Sequence, residues 1–386
     1  GQEERRIDVI AFQMSEEQME LVSLIRDVLK SEVEPLVLEL DRREGQDFDW
    51  RPVETLARLN MVAPIVPEEY GGRGLDFVTT ALIIEEVAAV CAGLAACMVG
   101  TIHALLPILV GGNEEQKKRF LIPLVSHKPA LAAFALTEPK GGSDIQRLDT
   151  YYRPAGEGFI LNGIKDYVIN GAVADFVTVC AGASQDGRPG AYQFLVVPRD
   201  RIKATINRKT MGIRASNTAQ LVFEDTPVTK EELLGHPDTG YLLLTQTLDC
   251  GRALIGAIQV GIARAAYEQT LSYARMREQF GRPIFSNQGV SFPLVEMATA
   301  IDAARFMVWR ACYLMDQDGD YTRASSMARL YAGQVGQMVT ARAIDIMGAA
   351  GYKDDSLLSI YFRDAKVCSI VGGTDNVQKM IIASLL

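Results

Sequence analysis

The spacing of apolar residues changes period twice along this chain, and that double change limits the folds open to it. From Ser15 the stretch SEEQMELVSLIRDVLKSEV opens with a capping box, Ser15 to Gln18, and sets Leu21, Leu24, Ile25 and Val28 on one helical face. The same period runs through VETLARLNMV, the long DFVTTALIIEEVAAVCAGLAACMVGTIHALLPILV and NEEQKKRFLIPLV, so residues 1–130 read as an N-terminal helical domain. After Pro129 the texture becomes short β-rich runs cut by Gly, Asn and Asp: GFILNGIKDYVING, DFVTVCAGA, AYQFLVVP, IKATIN and AQLVFEDTPV. These predict a small antiparallel, barrel-like β domain over 131–238. From Tyr241 long helical segments return, several of them apolar on more than one face, which predicts a C-terminal four-helix bundle over 239–386 buried on two sides. The expected class is mainly α with a central β domain, and 386 residues supply enough chain for three packed units.

Composition narrows the function. A net charge of -9 disfavours nucleic acid and anionic membrane as partners. The six cysteines show no C-x-x-C pairing and the three histidines, His103, His127 and His236, no ligand spacing, so no metal site is expected. Scattered, unpaired cysteines suit a reducing, cytoplasmic compartment, or the mitochondrial matrix for a mature eukaryotic protein. The opening GQEERRIDVIAF lacks the pattern of a secretory signal, and no uninterrupted run of apolar residues long enough to span a membrane is expected.

Chemistry-bearing residues cluster in a few stretches. FALTEPKGGSD, Phe134 to Asp144, runs from an apolar strand into a Gly-rich turn with hydroxyls at Thr137 and Ser143; such a turn offers backbone N–H and hydroxyl donors to an anionic or heteroaromatic ligand, although alone it could be a decorated hairpin. REQFGRPIFSNQ, Arg277 to Gln288, gathers a cation, an aromatic ring and an amide around a helix break. GIRASNTAQLVFEDTPV, LDCGR and YFRDAKVCSIVGGTDNVQ follow the β-rich opening in separate places along the chain.

Together these stretches resemble the acyl-CoA dehydrogenase flavoprotein family over essentially the whole chain. The resemblance implies one FAD per subunit at the junction of the β domain and the C-terminal bundle, a homotetramer built as a dimer of dimers, an acyl-CoA thioester substrate and an electron-transfer flavoprotein as acceptor. By position it assigns Leu136 and Thr137 to the flavin pyrimidine edge and Gly142 and Ser143 to the pyrophosphate side. Tyr167 falls where the family usually has a tryptophan beside the isoalloxazine, and Ile169 where many members place a threonine near flavin N5. Arg277, Phe280 and Gln288 match residues that reach a neighbouring subunit's FAD. Asp345 stands where that second contact usually has a glutamine, with Gly348 beside it, and Ala349 replaces a glycine. The resemblance also implies that Thr374 is a cofactor contact. The resemblance assigns Ser143, Asp249, Arg252 and Gly373 to the substrate; Asp249 and Arg252, three apart, would otherwise read as a helix-surface ion pair.

One part is missing. Family members hold the thioester carbonyl with a flavin ribityl hydroxyl and a backbone N–H, a carboxylate removes the Cα proton, and hydride passes from Cβ to flavin. That carboxylate sits just before the Gly-Thr of the C-terminal motif, or in a minority on the facing helix before the Arg. Here those positions are Gly372 and Gly251, both expected to leave room for a carboxylate side chain. Asp375 and Cys91 are the first substitutes to consider. The readings are therefore α,β-dehydrogenation or enoyl-thioester reduction with a base elsewhere; elimination of a leaving group, as in 3-sulfinopropionyl-CoA desulfinase, which is similar in lacking the base; flavin monooxygenation; or non-catalytic binding of flavin or acyl-CoA.

Overall fold

The structure, a computed structural model, describes residues 13–43, 47–183 and 192–386; the opening segment read for a targeting signal lies outside them. The N-terminal part contains α1 (Glu16–Glu32), α2 (Val37–Arg42), α3 (Arg51–Arg58), α4 (Phe77–Val90), α5 (Ala92–Gly111) and α6 (Glu114–Leu121). The capping box of α1 forms as expected, Ser15 and Gln18 exchanging side-chain and backbone hydrogen bonds. The long apolar stretch divides where the sequence showed no break: Cys91 takes extended dihedrals (φ -147°, ψ 97°) and separates α4 from α5. Helix α5 is long and apolar enough in its average to cross a membrane, although Thr101 and His103 interrupt its apolar run. Its mean hydropathy is 2.0, yet 83% of that window is buried inside the fold, as in a core helix.

The β domain comprises β1 (Ala132–Ala135), β2 (Tyr151–Ala155), β3 (Gly158–Ile169), β4 (Phe176–Gly182), β5 (Tyr192–Pro198), β6 (Ala204–Asn207), β7 (Thr218–Val228) and β8 (Leu233–Leu234). Its sheet order is β6-β7-β3-β2-β4-β5-β8, with β1 paired to β4. Pairing is mixed rather than wholly antiparallel, because β1 and β2 both run parallel to β4. The C-terminal part holds α7 (Gly240–Met276), the two-residue strands β9 (Glu278–Gln279) and β10 (Arg282–Pro283), α8 (Gln288–Asp316), α9 (Thr322–Met347), α10 (Ala349–Tyr352), α11 (Leu357–Val367) and α12 (Asp375–Ser384). Helix α7 is the hub: it packs on α9 and α8 of its own bundle and on α4 and α5 of the N-terminal part. One apolar core therefore runs from α1 and α4 through α7 to α9 and α11.

Helix α5 lies between this core and the sheet. Its Gly100 lets β3 approach closely, since a Cβ there would sit 3.0 Å from Ile169 Cγ2 and 3.2 Å from Asn170 Nδ2. Asn170 fastens the junction, its Nδ2 donating to the carbonyls of Cys97 on α5 and Ala132 on β1, each at 2.9 Å. These contacts bring the ends of β1 and β3, the middle of α5 and the middle of α7 to one place.

Candidate functional site

One wall is built by the β domain. As β1 ends, Leu136 and Thr137 reach the surface half-buried, and a buried ion pair holds the turn from behind. Lys165 Nζ donates to the Leu136 carbonyl and to Glu138 Oε1, both at 2.9 Å. Glu138 also accepts the N–H groups of Asp149 and Thr150 at 2.7 and 2.9 Å. Burial alone would raise the Glu138 carboxyl, but the Lys165 charge and these donors bring it below the usual carboxylate range. Gly142 folds back on Thr137, whose hydroxyl would lie 3.3 Å from a Cβ placed there, and Ser143 is exposed beside it. The register of β3 on β7 slips between Lys165 and Val168, and the bulge carries Tyr167 out with φ of +52° and its ring 65% exposed. An exposed aromatic ring and half-buried Leu136 and Ile169 thus flank a rim of hydroxyl and backbone donors. That mixture fits a planar heteroaromatic group with a polar tail, so the residues present suit FAD.

The facing wall comes from the C-terminal part. Between α11 and α12 the strip Val371–Gly373 has its carbonyls pulled to one side by three side chains. Arg252 Nε donates to the Gly372 carbonyl at 3.3 Å. Arg329, fully buried, donates to the carbonyls of Val371 at 3.0 and 3.2 Å and Gly373 at 3.1 Å, and to Asp375 Oδ1 at 3.0 Å. Gln378 Nε2 reaches the carbonyls of Gly372 and Gly373 at 3.0 and 2.9 Å. The two glycines are conformational: φ is +70° at Gly372 and +94° at Gly373, a region that L side chains rarely enter. Among the described residues no hydrogen bond uses the Gly372 N–H. Thr374 caps α12, its hydroxyl accepting from the Val377 N–H at 3.4 Å. Asp249 and Arg252 are a buried pair rather than a surface one; Asp249 Oδ2 also accepts from Thr322 Oγ1 at 2.7 Å. Arg329 and Gln378 escaped the sequence reading, and a charged residue within an apolar-patterned helix was the only signal for the first.

Between the walls lies a small apolar cavity, lined by Ile169 on the β side, by Ile255 and Val371 on the other, and by Val99 and His103 of α5. The expected room for a carboxylate is absent at Gly251, and at Gly372 the tip of Ile255 stands in it. A Cβ on Gly251 would stand 1.5 Å from His103 Nε2, and one on Gly372 would stand 2.7 Å from Ile255 Cδ1 on a left-handed backbone. The substitutes considered from sequence are placed elsewhere. Asp375 is tied to Arg329 in the first turn of α12. Cys91 faces a different cavity, with Asp41 and Asp364, and burial pushes its thiol up to about 12. The residues that the resemblance assigns to a neighbouring subunit's FAD lie elsewhere: Arg277 caps the end of α7, Phe280 is 99% exposed, Gln288 starts α8, and Asp345 and Gly348 stand at the end of α9. Among the described residues no hydrogen bond or ion pair joins them to the Thr137–Ser143 rim.

Comparison with known proteins agrees with this arrangement along the chain. The acyl-CoA dehydrogenase N-terminal, middle and C-terminal domain families match residues 15–128, 133–226 and 238–386. The chain is 34% identical over 387 residues to the mitochondrial short-chain specific acyl-CoA dehydrogenase of Mus musculus, covering 99% of this chain and 93% of that one. Its fold is similar to butyryl-CoA dehydrogenase from Megasphaera elsdenii, with a TM-score of 0.91, 31% identity and coverage of 97% and 99%. It is also similar to an acyl-CoA dehydrogenase complexed with FAD from Bacillus anthracis, with a TM-score of 0.88, 30% identity and coverage of 97% and 67%.

Proposed function

Because this chain belongs to the acyl-CoA dehydrogenase family of FAD-dependent flavoenzymes, we propose that it removes one hydrogen each from Cα and Cβ of a short, apolar acyl-CoA thioester. The observation that carries the reading is the Val371–Gly373 strip, whose carbonyls are held back by Arg252, Arg329 and Gln378 while the Gly372 N–H has no partner among the described residues. A fixed N–H at the rim of an apolar cavity is suited to a thioester carbonyl oxygen, and it is worth most when that oxygen gains charge as the Cα proton leaves. The cavity excludes water from the carbon to be deprotonated, and its small size favours a short chain. FAD, when bound on the Leu136–Ser143 and Tyr167 side, supplies the two-electron acceptance that no side chain here provides. The electron-transfer flavoprotein acceptor and the homotetramer implied by the resemblance belong to the same proposal.

The reading is tested by mixing the FAD-loaded protein anaerobically with butyryl-CoA and a ladder of longer saturated acyl-CoAs while following flavin absorbance. Bleaching at roughly 1 to 10³ per second, fastest for the short chains, is the expected result. If no saturated thioester bleaches the flavin while a thioester with a leaving group at Cβ is consumed without net flavin reduction, the protein is an eliminase and the proposal is wrong.

A further inference from the structure

We propose that Ile213, carried by the loop between β6 and β7, is the stop that limits how long an acyl chain this protein accepts. The inference rests on the dehydrogenase reading and deepens it. The cavity has a direction, given by the elements that line it. At its outer end, beside the Gly372 strip, stand His103 of α5 and Val371; two turns back along α5 stands Ala96. On α7 the lining runs inward from Ile255 to Ile258, and toward α11 it runs from Val371 back to Cys368 and Val367. The neighbours of Ile213 in its loop touch the same two helices one turn further in. Gly212 lies on α11, where a Cβ would stand 2.3 Å from the Arg363 carbonyl oxygen, and Ala215 lies on Gly93 of α5, where a Cβ would stand 2.7 Å from that of Ala215. The loop thus crosses the inner end of the cavity, and Ile213 is the side chain it puts into the lining.

The loop is held there against its own backbone preference. Ile213 has φ of +48°, a region that β-branched residues rarely enter and that persists only where the surroundings impose it. Its N–H donates to Asp364 Oδ1 of α11 at 2.5 Å, and its carbonyl accepts from the N–H and the hydroxyl of Ser216 at 2.9 and 2.8 Å. Arg363 donates to the Met211 carbonyl at 2.8 Å while pairing with Asp41 of α2. A glycine would fit this backbone more easily; what it would lack is the sec-butyl group that closes the cavity. Beyond the loop a second, smaller cavity opens, lined by Cys91 and Gly93 at the start of α5, by Ala215, and by Tyr361 and Asp364 of α11. Ile213 lines the first cavity and Ala215 the second, so the loop is the partition between them. A short chain ends against Ile213, and a longer one has to displace it.

The test uses FAD-loaded protein, anaerobic, with butyryl-CoA and octanoyl-CoA, reading flavin bleaching across thioester concentration. Calorimetry gives in parallel the affinity for the corresponding enoyl-CoAs, which leave the oxidised flavin unreduced. The parent should favour butyryl-CoA in kcat/KM by at least ~10-fold. Ile213→Gly, which suits the positive φ, should raise the octanoyl-to-butyryl ratio at least ~10-fold; Ile213→Val, equally β-branched and one methylene smaller, should raise it less. The enoyl-CoA affinities should move in the same sense. Asp364 acts through the loop as a positioning residue: Asp364→Ala should raise the ratio, whereas Asp364→Asn keeps an acceptor oxygen for the Ile213 N–H and should hold it near the parent's. A parent that accepts both chains equally, or an Ile213→Gly variant that retains FAD and the parental ratio in bleaching and in affinity, would overturn the stop while leaving the dehydrogenase reading intact. Should Ile213→Gly lose FAD, the ratio in Ile213→Val decides. Affinities that shift as expected in a protein whose flavin no saturated thioester bleaches would uphold the stop and overturn the dehydrogenase reading.

Discussion

At the scale of single residues, the deciding fact is that an imidazole stands where a side chain at Gly251 would stand. The placement has a consequence for stability apart from any reaction. An unfolded chain protonates His103 near its ordinary 6.5, whereas the folded chain resists until about 4. Between those values the unfolded state binds a proton that the folded state refuses, so the stability tied to the neutral ring is intact above about pH 6.5 and is lost as pH falls toward about 4. Asp364 works the other way. Burial raises its carboxyl to about 7, so the folded state keeps a proton that the unfolded state has released. The comparison to make is therefore parent against His103→Gln, in which Asp364 is common to both. Urea unfolding should show the parent losing up to about 3 kcal/mol relative to the variant between those pH values; a pH-independent difference would mean that the ring is not held neutral. This residue was hard to read from sequence because a lone histidine in GTIHALLPILV looks like a tolerated core position. Its partner Gly251 lies far along the chain. The flavin rim was legible, since Thr137, Gly142 and Ser143 are neighbours in sequence and a Gly-rich turn announces its own geometry.

At the scale of elements, the order helical, β, helical was legible because period 3.6 and period 2 are local properties of a chain. What was not legible depends on pairing between distant segments: the parallel partners of β4, and the break at Cys91, where no proline or glycine marks the end of α4. The Val371–Gly373 strip belongs with these. It is neither helix nor strand, and its shape is imposed by Arg329 from α9, Arg252 from α7 and Gln378 from α12. Replacing Arg329 by Met leaves the Val371 carbonyl and the Asp375 carboxylate without their Arg329 donor, while the Gly373 carbonyl keeps Gln378, and should cost about 1–3 kcal/mol. Arg329→Lys keeps the charge but lacks the planar fork that serves the separate acceptors, so it should fall between parent and Arg329→Met. Denaturant midpoints give the order, and titration with butyryl-CoA should show affinity falling in parallel, because the Gly372 N–H and the cavity wall ride on the same strip. Arg329→Met with parental stability would show that the strip is held by other means.

At the scale of the whole molecule, the question is what covers the outer face of the C-terminal bundle. Helix α8 leaves Phe292 56%, Val295 62%, Phe306 42% and Tyr313 49% exposed, at spacings that put them along one stripe. Phe280 is 99% and Met276 73% exposed at the α7–α8 corner beside Arg277. A stable monomer seldom leaves so much contiguous apolar surface in water, and the expected cover is a second copy of the same chain, giving a homotetramer assembled from dimers. Light scattering at micromolar concentration should report four subunits; a stable monomer would contradict the expectation. Val295→Glu places a charge in the middle of the stripe and should shift the mass toward smaller species, since a carboxylate buried without a partner is strongly disfavoured. The same variant probes the cofactor. Arg277, Phe280 and Gln288 are exposed at one corner of that face and, among the described residues, have no bond to the chain's own Thr137–Ser143 rim, so the flavin role expected of them would require a neighbouring subunit. Val295→Glu should therefore lose FAD as it loses mass, and Arg277→Ala should weaken FAD retention and assembly together. If Val295→Glu dissociates yet keeps one FAD per chain, each subunit holds its flavin unaided and the cross-subunit role of Arg277 and Gln288 is wrong.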